Sequence, residues 1–314
     1  MARSGYAWDT TFLGHRTLTV HPEHPVRAEV LAPERMLVDV PGLVRVAVDA
    51  ALGLPGVHRV HDPVYIDEVA DACRRGRRSL DGGDTLIASD SFDVALRSAA
   101  AALSVVSAVM GGKLDNGFAA VRPPGHHALV NRGRGFCIFN NAAICARFAQ
   151  TAFGAGRVLI VDWDVHPADG TMSIFYDDPS VHVLSVHQDG ILGKGVGAED
   201  QRGCAAGEGT TYNVPLPAGT DAVSHLTRFG EALEVAAARC RPDLVLVSCG
   251  FDAHVGDPIG GLRLDDDHFR ILTQMVRRVA LRYCGGRVVS MLEGGYQPDI
   301  LRRCVRMHLE ALLD

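Results

Sequence analysis

Five short runs of apolar, largely β-branched residues punctuate the chain, at 118–121, 158–161, 181–186, 244–247 and 288–292. Runs this short, without alternation, are the pattern of strands buried on both faces of a parallel sheet. Between them, segments 91–110, 141–152, 224–239 and 266–283 place Ala, Leu, Val and Arg at helical spacing and predict helices. Strand alternating with helix predicts an α/β fold with a central, mostly parallel sheet and helices on both faces. Residues 1–65 carry scattered Pro and His with weaker periodicity, but no Gly/Ser linker separates them. They are expected to supply the first strand and rim loops of one domain spanning 1–314.

Composition narrows the class. Of 314 residues, 47% are hydrophobic and 22% charged, which is globular usage and excludes a disordered or fibrous chain. Thirty-one Lys+Arg against 37 Asp+Glu leave a net charge of −6, so no global positive field draws nucleic acid or an anionic membrane. The first residues lack an apolar signal core, and the stretch 98–110 is short and Ser-bearing for a bilayer span, so a cytoplasmic protein without membrane partners is expected. Eight cysteines without a CxxC pair are expected to be core hydrophobes, neither a thiolate zinc site nor a disulfide framework.

The polar residues best suited to chemistry follow the predicted strands. Arg122-Pro123-Pro124-Gly125-His126-His127 follows the first run, Asp162-Trp163-Asp164-Val165-His166 ends the second, Gly250-Phe251-Asp252 follows the fourth, and Glu293-Gly294-Gly295-Tyr296 follows the last. Ligand crevices of open parallel sheets lie beyond the carboxyl ends of the strands, so these loops are expected to converge. Asp164 and His166, two apart, leave an extended strand on one face, and Asp252 from another strand completes an Asp-His-Asp set. Three mixed ligands with an open fourth position are the layout of a catalytic zinc site, and the oxygen-rich set would also accept Fe²⁺ or Co²⁺. Asp162 points away from Asp164 and is expected to fix an imidazole tautomer. His126 and His127, behind a stiff Pro-Pro-Gly approach, are candidates for proton transfer. Tyr296 is a candidate hydrogen-bond donor to a developing oxyanion.

As an ordered set, Pro123-Pro124-Gly125-His126-His127, Gly135-Phe136-Cys137-Ile138-Phe139-Asn140-Asn141, Asp162-Trp163-Asp164-Val165-His166, Gly250-Phe251-Asp252 and Glu293-Gly294-Gly295-Tyr296 resemble the histone deacetylase superfamily. The stretch from His187-Gln188-Asp189-Gly190 to Asn213-Val214-Pro215-Leu216-Pro217 resembles its bacterial class II-like and acetylpolyamine amidohydrolase members. The resemblance implies an arginase/deacetylase fold and a metal-dependent amidohydrolase acting on an acetyl-lysine, acetylpolyamine or other small acylated amine. It implies Zn²⁺ on Asp164, His166 and Asp252, His127 as general base and then acid, and His126 as its electrostatic partner. Asp162 would stand behind His126, Asp169 behind His127, and Tyr296 beside the oxyanion. Phe136 would wall an acyl tunnel, Gly135 and Gly295 would contact substrate, and Asp84 would be a rim carboxylate. The resemblance also implies a structural K⁺ at Asp162, Asp164, His166, Ser185 and Val186, and admits a loop-mediated homo-oligomer.

The chain departs from the family pattern in two places. His166 is followed by Pro167 and Ala168 where the family reads His and Gly, which removes one backbone N–H and stiffens the loop. Leu192 stands where an aromatic wall is usual, implying a wider tunnel, and the Gly-rich segment 193–209 reads as a lid. Two other readings compete. An arginase-like binuclear ureohydrolase needs a carboxylate two residues beyond Asp252, where the chain has His254. A non-catalytic acyl-group sensor would be favoured by loss of the tyrosine or a ligand, and both are kept.

Overall fold

The computed structural model describes residues 2–18 and 20–314. Eight strands form one sheet: β1 Ser4–Ala7, β2 Val44–Arg45, β3 Asn116–Ala119, β4 Val158–Asp162, β5 Val181–Gln188, β6 Thr211–Leu216, β7 Leu244–Cys249 and β8 Val288–Leu292. Their order is β2-β1-β3-β8-β7-β4-β5-β6, and every pairing is parallel. Ten helices accompany them among the described residues: α1 Val26–Glu29, α2 Pro33–Asp39, α3 Gly53–Val57, α4 Pro63–Arg74, α5 Ser91–Met110, α6 Asn141–Phe153, α7 Asp169–Ile174, α8 Ala222–Cys240, α9 Asp266–Cys284 and α10 Pro298–Leu313.

Neighbouring residues of β3 show why the central runs lack alternation. Gly117 faces Val105 of α5, while Phe118 packs its ring against His308 of α10, 5.4 Å between centroids. Each strand residue therefore meets a helix on one side or the other, and both sides must be apolar. The helices end where capping chemistry dictates. The Asn140 side chain accepts from Ala143 N at the start of α6, and Gly154 closes that helix in the left-handed conformation. Asp265 and His268 form a capping box on α9.

α5 corrects one expectation. The helix extends beyond the 98–110 stretch, and an 18-residue window within it has a mean hydropathy of 1.5, enough by length and composition to cross a membrane. Here 67% of that window is buried, because α5 runs under the core and touches α3, α6 and β3.

The strand order explains the position of the site. β3, β8, β7 and β4 are contiguous in the sheet although they come from distant parts of the chain. Their carboxyl ends release the four loops singled out by the sequence at the same end of the sheet.

Candidate active site

The second strand-end loop is folded around its own carboxylates. β4 stops at Asp162, whose Oδ1 accepts the Asp164 N–H at 3.0 Å, and Asp164 Oδ1 accepts the His166 N–H at 2.9 Å. These short-range bonds bend the chain out of the extended form assumed from the sequence, yet Asp164 and His166 still face one point. Asp252 arrives from beyond β7 and is fixed by the Val165 N–H, 2.9 Å from its Oδ1. His166 Nδ1 lies 2.9 Å from Asp164 Oδ1 and 3.3 Å from Asp252 Oδ2. Ligand atoms of all three residues lie within 4.8 Å of one another, and all three residues are buried.

This cluster fits a divalent cation. Asp252 Oδ2 is buried and accepts no hydrogen bond. Burial and the neighbouring Asp164 push the Asp252 carboxyl up to about 7. Burial disfavours a charged His166, but the Asp164 and Asp252 carboxylates beside it prevail and raise the imidazole to about 10. Two buried carboxylates around one imidazole thus demand positive charge, from a proton or from a metal ion. The N and O donor set suits Zn²⁺ and also Fe²⁺ or Co²⁺.

The paired histidines stand beside it and differ in charge. The Glu293 carboxylate holds their loop, since its Oε2 accepts the N–H of Gly125 at 2.7 Å and of His126 at 3.1 Å. His126 Nδ1 lies 2.9 Å from Asp162 Oδ2, as the sequence reading anticipated for that aspartate. Burial opposes charge on His126, but Asp162, Asp164 and Glu293 outweigh it and lift its basicity well above the ordinary value. His127 Nδ1 lies 2.6 Å from Asp169 Oδ1, and the two imidazole centroids are 4.0 Å apart. Burial and the charge on His126 depress His127 to about 4. His127 is therefore neutral at pH 7, and with its Nδ1–H donated to Asp169 it presents an unprotonated Nε2. The Asp169 carboxyl is held below its ordinary range: burial opposes ionisation, but the hydrogen bond from His127 and the charge of Arg134 prevail.

Pro167 does not disturb this dyad. It is buried, its carbonyl accepts the Asp169 N–H at 2.8 Å, and the Ala168 N–H goes to Ser185 Oγ at 3.2 Å.

Tyr296 completes the arc. Its N–H donates to Asp257 Oδ2 at 2.6 Å, and its ring lies between the Arg27 guanidinium, 5.0 Å away, and Phe136, 5.8 Å away edge-on. Burial and the nearby Asp252 and Asp164 keep its phenol protonated far above the usual value. Phe136 sits in a two-residue turn after Gly135, and the ring on its other side is His21, 4.6 Å away. Asp84 is exposed at this rim, its carbonyl 3.0 Å from His21 Nε2. Gly295 is buried, and its carbonyl accepts from Arg27 Nε at 2.7 Å. Leu192 is half-buried on the loop after β5, so the described aromatic neighbours of Phe136 are His21 and Tyr296. The Gly-rich segment behind Leu192 is stitched to the body: His187 Nε2 bonds the Gly197 carbonyl at 3.0 Å and Cys204 N–H the Tyr176 carbonyl at 2.7 Å. Ser185 of β5 is the register partner of Asp162 of β4, with Val186 buried next to it.

Several supporting residues escaped the sequence reading. Arg27 reaches the carbonyls of Glu293 and Gly295 and pairs with Glu23, 3.2 Å away; Glu23 also binds Arg122 at 2.5 Å. Glu23 and Arg27 lie in the Pro- and His-bearing stretch 1–65, which reads as rim loops, and only the folded chain buries them. Arg134 and Asp257 belong to the same group. His254, the residue on which a binuclear site turns, is already satisfied: its Nδ1 accepts the Gly256 N–H at 2.9 Å, and its Nε2 faces Asp266 at 3.1 Å. Asp266 in turn pairs with Arg303 at 2.6 Å, so this second His-Asp-Cys304 cluster offers no open ligand.

Comparison with known proteins agrees with this geometry. A family model described as a histone deacetylase domain matches residues 21–312. The chain is 41% identical over 270 residues to "Histone deacetylase 10, chloroplastic" of Oryza sativa subsp. japonica, covering 83% of this chain and 61% of that protein. It is 37% identical over 279 residues to "Polyamine deacetylase HDAC10" of Homo sapiens, covering 86% and 40%. The crystal structure of the HDA15 HD domain matches with a TM-score of 0.90 at 33% identity, covering 99% of this chain and 91% of that one. The chain thus spans about three fifths of the length of the rice relative and about two fifths of the human one. With the ordered motifs, the all-parallel sheet of the arginase/deacetylase fold and a match over nearly its whole length, the chain belongs to the histone deacetylase domain family.

Proposed function

We propose that this chain hydrolyses the amide of an N-acetylated or N-acylated amine, with Asp164, His166 and Asp252 holding one catalytic Zn²⁺, or Fe²⁺ or Co²⁺ in its place. The observation that carries the reading is the pairing of that three-ligand cluster with a neutral His127 whose Nδ1 is committed to Asp169. The bound ion supplies Lewis acidity toward the scissile carbonyl and acidifies a water molecule. His127 Nε2 takes the proton of the attacking water, and Asp169 keeps the imidazole in the tautomer that allows it. His126, charged beside Asp162, stabilises negative charge building at the carbonyl carbon's substituents. The Tyr296 hydroxyl donates to the oxygen that becomes an oxyanion. His127 then returns its proton to the leaving amine as the C–N bond breaks. Phe136 and Gly135 flank the acyl chain at the mouth, with Gly295, Leu192 and Asp84 around it.

The substrate classes are acetyl-lysine peptides, acetylated polyamines and small acylated metabolites. A structural K⁺ at Asp162, Asp164, His166, Ser185 and Val186, cytoplasmic location and a homo-oligomeric assembly complete the proposal. Assay of the zinc-loaded protein against an acetyl-lysine peptide, an acetylated polyamine and a longer acyl amide tests it. Turnover of at least one class that is lost on chelation is the expected result; absence of turnover with every class and each metal overturns the reading.

A further inference from the structure

The Asp169 carboxylate has two oxygens, and each is used by a different residue. Oδ1 lies 2.6 Å from His127 Nδ1, and Oδ2 lies 3.0 Å from Arg134 Nη1. Arg134 opens a two-residue hairpin turn. It exchanges backbone hydrogen bonds with Cys137 at 3.1 and 2.9 Å, and the enclosed Gly135 and Phe136 have φ of 54° and 68°. Positive φ at both central positions is the type I′ arrangement, natural for Gly135 and costly for Phe136, so neighbouring contacts must hold the turn in place. The turn lies directly against the base: a Cβ on Gly135 would come within 2.5 Å of His127 Cδ2. Asp169 belongs to a separate element, the first residue of α7. The Arg134–Asp169 pair therefore ties the turn that carries Phe136 to the helix that carries the partner of His127.

Behind this pair lies a cavity of about 660 Å³, lined by Asp169, Arg134, Met172, Tyr176 and Lys194 among others. Without Arg134, Oδ2 of Asp169 would face that cavity and its water. A carboxylate free on one side rotates and loses the short, directed bond on the other. The guanidinium, with its planar donors, holds the carboxylate plane as a point charge does not.

We infer that Arg134 is a positioning residue which, by occupying the second oxygen of Asp169, fixes the His127 imidazole in the orientation its proton transfer requires. This rests on the deacylase reading above. Arg134→Ala, in the metal-loaded enzyme on a substrate the parent chain turns over, is expected to lower kcat about tenfold to a hundredfold, the usual cost of a lost orienting partner, and to leave KM within about twofold. Arg134→Lys should recover part of the loss. In an Asp169→Ala background, Arg134→Ala should cost nothing further, because Arg134 acts only through that carboxylate. A second readout needs neither metal nor turnover. The proton NMR resonance of the His127 Nδ1–H, assigned by its disappearance in His127→Ala, should be sharp in the metal-free parent chain, lost to exchange in Arg134→Ala and partly restored in Arg134→Lys. An unchanged kcat and an unchanged resonance in Arg134→Ala overturn the inference, as does an equal loss of kcat in the presence and absence of Asp169. Should the parent chain turn over no acylated amine, the deacylase reading falls by itself, and the resonance still decides whether Arg134 orients the imidazole.

Discussion

Gly294 donates its backbone N–H to Oδ2 of Asp164 at 2.7 Å, so the loop leaving β8 orients a carboxylate of the loop that follows β4. That contact needs a residue without a side chain. A Cβ at Gly294 would come 2.0 Å from Asp252 Oδ2 and 2.6 Å from Asp164 Oδ2, closer than real atoms approach. Gly294→Ala must therefore displace Asp252 and Asp164, two of the three ligands proposed above, while leaving the strands intact. The expected outcome is a loss of metal affinity of about tenfold to a hundredfold with a folded apo protein, read by titration calorimetry and circular dichroism. Parent-like affinity in this variant would show that the cradle is looser than its contacts imply.

Metal uptake should release protons. In the metal-free chain His166 is raised to about 10, so at pH 8 it carries a proton that a cation on Nδ1 must displace. About one proton per ion is expected at that pH, and apparent affinity should rise with pH between 7 and 9. Calorimetric titration in buffers of different ionisation enthalpy measures the count directly. Uptake with no dependence on buffer would mean that His166 is already deprotonated, and that its two carboxylate neighbours do not act as described.

The His127 and Tyr296 side chains should prove separable from folding. The phenol of Tyr296 is placed by its ring, between Arg27 and Phe136, and by its backbone bond to Asp257, none of which requires the hydroxyl. Tyr296→Phe is expected to keep the parent melting temperature and to lower kcat about a hundredfold to a thousandfold, the cost of one oxyanion donor. His127→Ala should lose about a hundredfold to ten-thousandfold through the missing base. Parent rates in either variant would remove that residue from the mechanism.

The sheet core was legible because strands buried on both faces leave uninterrupted apolar runs. Five such runs became β3, β4, β5, β7 and β8, and the four chemical loops follow four of them. β3 begins two residues before its apolar run, at Asn116 and Gly117, and the buried Asn116 side-chain amide donates to the Leu312 carbonyl at 2.9 Å. β6 was hidden because Asn213 and Pro215 interrupt its pattern, which an edge strand tolerates. The residues proposed to hold the metal and move the proton were legible as motifs, because each motif is local in the chain. What was not legible is the charge that supports them. Arg27 grips the Glu293 and Gly295 carbonyls from more than 260 residues away, and no periodicity or motif announces a contact of that span.

That supporting charge sets the response to acid. Glu23 is fully buried between Arg122 at 2.5 Å and Arg27 at 3.2 Å, with His15 Nε2 at 3.5 Å. Burial disfavours its ionised form, but Arg122, His15 and Arg27 prevail and hold the carboxyl at about 2, against an ordinary 4.5. A carboxylate depressed by folding contributes stability that is fully present above the unfolded value and is lost as the folded group takes up its proton. The window is therefore pH 4.5 down to 2, and at 1.36 kcal/mol per unit the contribution is about 3 kcal/mol. His15, lowered by burial to about 4, acts in the same direction between 6.5 and 4, so stability should fall in two overlapping stages on acidification. Glu23→Gln should be less stable at pH 7, because two buried guanidiniums lose their counter-charge, at a cost of about 3–5 kcal/mol. Between pH 4.5 and 3 its stability should then fall less steeply than the parent's, by about 1.4 kcal/mol per pH unit, the slope that remains coming from other depressed carboxylates such as Asp81 and Asp169. Urea unfolding at a series of pH values measures both slopes; parallel curves for parent and variant would mean that Glu23 is not ionised in the fold, and that the grip of Arg27 on the Tyr296 loop does not depend on its charge.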